Sequence, residues 1–134
     1  MTAPLPAEVA EVFGRYPAPA REGLLQLRAL VLALAEERAA GPLTETLKWG
    51  APAYLTQATK SGSTIRLGLL QGRPAVFFNC NTTLVEGFRA DFPDAFAYSG
   101  NRALLPGDGT GDAALAICLG RALTYHRDKK RRRA

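Results

Sequence analysis

The hydrophobic period of this chain changes at Gly41-Pro42, and that change constrains the fold more than any other feature. Upstream, Leu24, Leu27, Val31 and Leu34 recur at steps of three and four, with Leu30 widening the stripe. That spacing puts them on one side of a helix over residues 20–40. Glycine followed by proline is a natural stop for it. Downstream, apolar and polar residues alternate, the period of a half-buried strand. A chain of this kind lays a leucine-striped helix on a sheet.

Residues 44–54, TETLKWGAPAY, stand at the switch. Leu47 and Trp49 share one phase of the alternation and Lys48 the other. The only tryptophan, Trp49, is therefore expected to be buried, anchoring the first strand on a helix, as large aromatics usually are. The functional alternative is a pocket where Trp49 and Tyr54 meet Lys48. Pro52 cannot donate to a ladder and disfavours the α region at Ala51, so it marks a strand end or an edge. Arg28 interrupts the apolar side of the helix and is expected to pair with Glu45 across the Gly41-Pro42 turn, its stem lying along the apolar surface.

The rest of the chain continues the pattern. Residues 7–15 suit a short helix with Val9, Val12 and Phe13 on one side, broken by Tyr16-Pro17-Ala18-Pro19. Lys60-Ser61-Gly62-Ser63 reads as a polar turn. Residues 64–70 alternate, Gln71-Gly72-Arg73 reads as a hairpin connection, and residues 75–80 return. Thr82 or Thr83, with Glu86, can cap a helix that Pro93 stops near Phe92. Residues 96–98 and 102–105 form a second hairpin signal around Ser99-Gly100-Asn101. Thr110 or Asp112 can cap a final helix to about residue 127. The Gly-rich run 107–111 lacks the lysine of a phosphate loop and reads as a connection. Short hairpin links imply an antiparallel sheet of about five to six strands packed against helices, an α+β fold.

The 134 residues suit one domain, here 7–127, with a loose lead at 1–6 and a basic tail at 128–134. A hydrophobic content of 47% with 22% charged residues excludes a disordered chain. The formal charge is +5, but the tail holds five cations and one carboxylate, so the body carries only +1. No apolar run is long enough to span a membrane and no secretory signal is visible, so a cytoplasmic protein with no membrane partner is expected. Cys80 and Cys118, far apart in the chain, are expected to be free thiols, with a single disulfide between them as the alternative.

Tyr16-Pro17, Arg21, LLQLRALV at 24–31, ETLKWGAPAY at 45–54, the Phe78 region and FRADFP at 88–93 together resemble the YdhG-like domains, small bacterial proteins mostly of unknown function. The resemblance runs over roughly residues 7–125, and Glu–x–x–Lys–Trp–Gly–x–Pro is its most specific part. It implies an α/β sandwich with an antiparallel sheet. One branch of that family is described as a frataxin-like intracellular iron chaperone, which implies oxygen ligands for iron. The carboxylates available for that role are Glu8, Glu11, Glu22, Glu36 and Glu37, interspersed with Arg15, Arg21 and Arg38.

The candidate ligand-binding residues are Arg28, Lys48, Trp49, Tyr54, Arg66, Asn79 and Arg102, several of them at alternate strand positions where one sheet face could collect them. Such a face favours a small anionic ligand or an acidic protein partner. No catalytic residue, metal ligand or cofactor is assigned, and a non-enzymatic binding domain is the expected function. The alternatives are the iron chaperone and a thiol-dependent enzyme using Cys80, for which His126, the only histidine, is the sole imidazole base. The basic tail is expected to be solvated and frayed, and to touch nucleic acid only nonspecifically.

Overall fold

Pro17 and Pro19 open the long helix where the sequence suggested a break. In the computed structural model, which describes residues 4–107 and 113–133, helix α1 (Ala7–Arg15) leads into α2 (Ala18–Glu37), with Pro17 as its N-cap and Pro19 in its first turn. Proline's missing N–H is harmless there, since the first-turn donors have no intrahelical partner. The helix also stops earlier than Gly41-Pro42 suggested. Ala39 takes a left-handed φ of 53°, and the Ala40 N–H donates to the Ala35 carbonyl at 2.8 Å. That six-residue closure ends the helix with alanine in the position glycine usually fills.

Four strands follow, β1 (Thr44–Lys48), β2 (Ala51–Leu55), β3 (Ile65–Leu70) and β4 (Arg73–Phe77). Then come α3 (Leu84–Asp91), the short pair β5 (Ala97–Ser99) and β6 (Ala103–Leu105), and helices α4 (Ala113–Leu123) and α5 (Tyr125–Arg133). Among the described residues the strands form one antiparallel sheet in the order β1-β2-β3-β4-β6-β5, with the helices packed against it. The fold class is α+β, as the periodicity implied. Thr83 precedes α3 without a side-chain capping bond, and of the two threonines it is Thr82 whose hydroxyl oxygen accepts from the first helical N–H, that of Leu84, at 3.4 Å. The proposed caps Thr110 and Asp112 lie outside the described residues, as does most of the glycine-rich run.

Alternation decides which sheet face is covered. Tyr54, Ile65, Leu67, Val76 and Leu104 pack in one cluster with Val9 and Phe13 of α1, Leu24, Leu27 and Val31 of α2, Phe88 of α3 and Leu115 and Leu119 of α4. Burial of each such side chain contributes about 1.5–3 kcal/mol. The four helices that supply these residues therefore share one side of the sheet. Residues of the other phase, among them Lys48, Arg66 and Phe77, face away from that layer.

Two turns depart from expectation. Lys48 pairs with Ala51, so Trp49 and Gly50 form a two-residue hairpin loop with φ of 55° and 74°. Positive φ at both positions suits the right-handed twist of the flanking strands. Gln71-Gly72 repeats the device between β3 and β4, with φ of 53° and 76°. Trp49 is consequently 92% exposed, so the expectation of a buried indole anchor is wrong. The strand ends at Lys48, and a turn residue has no place in the strand's alternation. Pro52 sits within β2, opposite Leu47 and outside the registered β2–β3 pairs.

The segment between β2 and β3 is more than a polar turn. Ser63 N–H donates to the Ala122 carbonyl and Ser61 Oγ to the Leu123 carbonyl, both at 2.8 Å. The Ser61 carbonyl in turn accepts from the Arg127 N–H at 2.9 Å. The loop thus satisfies the last carbonyls of α4 and an early donor of α5, which is why one expected helix becomes two, broken at Thr124. Helix α5 then continues to Arg133, in place of the frayed tail the sequence suggested. At the other end, the Pro4 carbonyl accepts from Arg28 and Leu5 packs on the core, so the lead is tied down from residue 4.

Candidate functional site

The seven candidate residues separate into two groups on opposite sides of the sheet. Arg28 and Tyr54 lie on the helix side and do not join the others. Arg28 donates through Nε and Nη2 to the two Glu45 oxygens at 2.5 and 2.8 Å, and the Tyr54 hydroxyl donates to Glu45 Oε2 at 2.7 Å. The Arg28–Glu45 pairing expected from the sequence is present. The Glu45 hydrogen bond holds the Arg28 pKa above its ordinary value, against the opposing effect of desolvation. Burial, then the bond to Glu45, pushes the Tyr54 hydroxyl well above the ordinary tyrosine range. Tyr54 heads the largest fully buried side chains, the place the sequence reading gave to Trp49. This cluster is satisfied internally and ties α2 to β1 and β2, so Arg28 and Tyr54 hold the fold together.

The remaining five come together. Lys48, Trp49, Arg66, Asn79 and Arg102 line one cavity of about 440 Å³, with Leu55, Thr64, Phe78 and Cys80 completing its wall. Register explains the central pair, because Arg66 on β3 is the cross-strand partner of Phe77 on β4. The Arg66 guanidinium carbon lies 5.5 Å from the Phe77 ring centroid, and that of Arg102 lies 5.7 Å from it. Arg102 is brought there by its carbonyl, which accepts the Phe78 N–H at 2.7 Å. Cation–π attraction holds both guanidiniums by the ring without neutralising them. Among the described residues none of Lys48, Arg66 and Arg102 forms an ion pair; the ion pairs are Arg15–Glu11, Arg28–Glu45 and Arg121–Asp91. The Asn79 side-chain oxygen accepts from the Asn81 N–H at 2.9 Å, fixing that corner.

Phe77 is the residue that sequence reasoning missed. Its signal was present, since two successive phenylalanines require cover on both faces. The cover on the open face is a pair of arginines.

Other chemistry is sparse. Cys80 is exposed at the cavity wall and Cys118 is buried, and the two form no disulfide. His126 is exposed on α5 against the Tyr125 ring and is not part of that wall. Among the described residues no three of His, Cys, Asp and Glu gather, and Glu11 is engaged by Arg15 at 2.6 Å. Among them, too, no helix is long and apolar enough to cross a membrane. No protein-family model, no curated protein and no solved structure matches the chain.

Proposed function

We propose that this is a non-enzymatic, cytoplasmic binding domain of the YdhG-like kind, and that its open sheet face takes a small anionic ligand. One observation carries the reading: Lys48, Arg66 and Arg102 meet at a single cavity with no carboxylate among the described residues to neutralise them. Like charges repel, so a cluster of this kind costs stability unless an anion completes it. Guanidinium groups suit oxyanions because their planar donors match two oxygens at once. The cavity has the size of an ordinary small-molecule site.

Calorimetric titration with pyrophosphate and citrate tests the proposal. Saturable binding that weakens with added salt is expected, and Arg66→Gln combined with Arg102→Gln should abolish it while the fold persists. Absence of saturable heat from every anion tried, or binding that survives the double substitution, overturns it.

A further inference from the structure

We infer, resting on that reading, that the anion also carries an aromatic ring and that the cavity takes a phosphorylated nucleoside. Two features meet here, and each asks for a different part of the ligand.

The cationic part is Arg66, Arg102 and Lys48. Phe77 holds two of the three beside its ring, their guanidinium carbons 5.5 and 5.7 Å from its centroid, and that contact leaves their charge unneutralised. Three positive charges are matched poorly by a single carboxylate. They are matched well by a phosphate, which carries close to two negative charges and three acceptor oxygens.

The aromatic part is Trp49. Its indole is 92% exposed at the rim of the same cavity. Among the described residues no ring or cation packs on it. It also occupies a left-handed turn position, φ 55°, that asparagine or glycine fills with less strain. A bulky aromatic there serves neither the turn nor the core. It does present a free π-face beside three cations, the pairing by which proteins hold a base and its phosphate together. An aliphatic polyanion would leave that face unused.

The same unit occurs free and within a single strand of nucleic acid. The open face admits both, and titration separates them.

Trp49 is the only tryptophan, so its fluorescence reports on the site directly. The intact chain is titrated with adenosine diphosphate, adenosine, pyrophosphate and a short single-stranded oligonucleotide. Adenosine diphosphate should quench saturably, with adenosine and pyrophosphate each about tenfold weaker or more, the scale of one lost stacking or charge contact. By calorimetry, Trp49→Ala should lose about tenfold in affinity for adenosine diphosphate, and Trp49→Phe should recover part of it. Equal affinity per site for nucleotide and oligonucleotide identifies the free ligand, and a much tighter oligonucleotide identifies the strand. If pyrophosphate binds as tightly as adenosine diphosphate, or Trp49→Ala changes nothing, the inference fails and the small-anion reading survives. If no anion binds calorimetrically, both fail.

Discussion

Replacing Glu45 with leucine should damage this fold more than its position on an edge strand suggests. The Arg28 and Glu45 side chains are 3% and 10% exposed, so the pair is shielded from water. In Glu45→Leu the guanidinium loses both carboxylate bonds and keeps only the Pro4 carbonyl at 3.2 Å. The Tyr54 hydroxyl loses its acceptor as well. Breaking one side of a buried pair costs about 3–5 kcal/mol, and a buried unpaired hydroxyl adds to it. A loss of about 4 kcal/mol is therefore expected. For a domain of this size that lowers Tm by roughly 15 °C. Arg28→Met combined with Glu45→Leu removes both charges and should recover at least half of the loss, because two apolar residues strand nothing but the tyrosine. Urea unfolding followed by far-UV circular dichroism reads these two variants and Arg28→Met alone. A single substitution costing less than about 1 kcal/mol, or a double variant as unstable as the sum of its parts, refutes the argument.

Gly62→Ala should destabilise by about 2–3 kcal/mol in the same assay, because the new Cβ falls 2.2 Å from the Leu123 carbonyl oxygen and 2.4 Å from that of Ala122. Backbone cannot step aside there, and a neutral result would show that the loop is not seated on α4 as described. Trp49→Asn should leave the urea midpoint unchanged or raise it by up to about 1 kcal/mol in stability, since an exposed indole leaves a left-handed position that asparagine tolerates; a marked loss would mean that the ring is packed. Alkali should weaken the fold. Tyr54 holds its proton more tightly when folded, so its contribution is complete below the ordinary tyrosine pKa of about 10 and declines as pH rises above it toward the raised folded value. The fall of Tm above about pH 10 should be shallower in Tyr54→Phe, and an identical slope in the two proteins would remove Tyr54 from the account.

Elements with strong periodicity were legible in the sequence. The leucine stripe of α2, the alternation of β3 and β4 and the glycine turn at Gln71-Gly72 all arise from local physics that a linear pattern records. The Arg28–Glu45 pair was legible because a cation on an apolar flank has few ways to be satisfied. Trp49 was misread because the alternation was carried one residue past Lys48, into a turn that Gly50 already marked. Of the candidate site, Lys48, Trp49, Arg66, Asn79 and Arg102 meet at one wall because register aligns Arg66 with Phe77 and the β5–β6 hairpin brings Arg102 alongside. Register between strands distant in the chain is a tertiary fact, and no single stretch encodes it. The break at Thr124 was invisible for the same reason, since its cause is a loop about sixty residues upstream in the chain.

That clasp fixes more than a kink. The cationic stretch of about two turns after residue 126 is not a loose streamer of charge. It points along a bearing set by a serine-rich bracket and by the Arg127 guanidinium gripping the Arg38 carbonyl at 2.8 Å. A partner meeting these cations meets a helix whose first turn is moored to the body, and that mooring depends on a glycine far away in the chain.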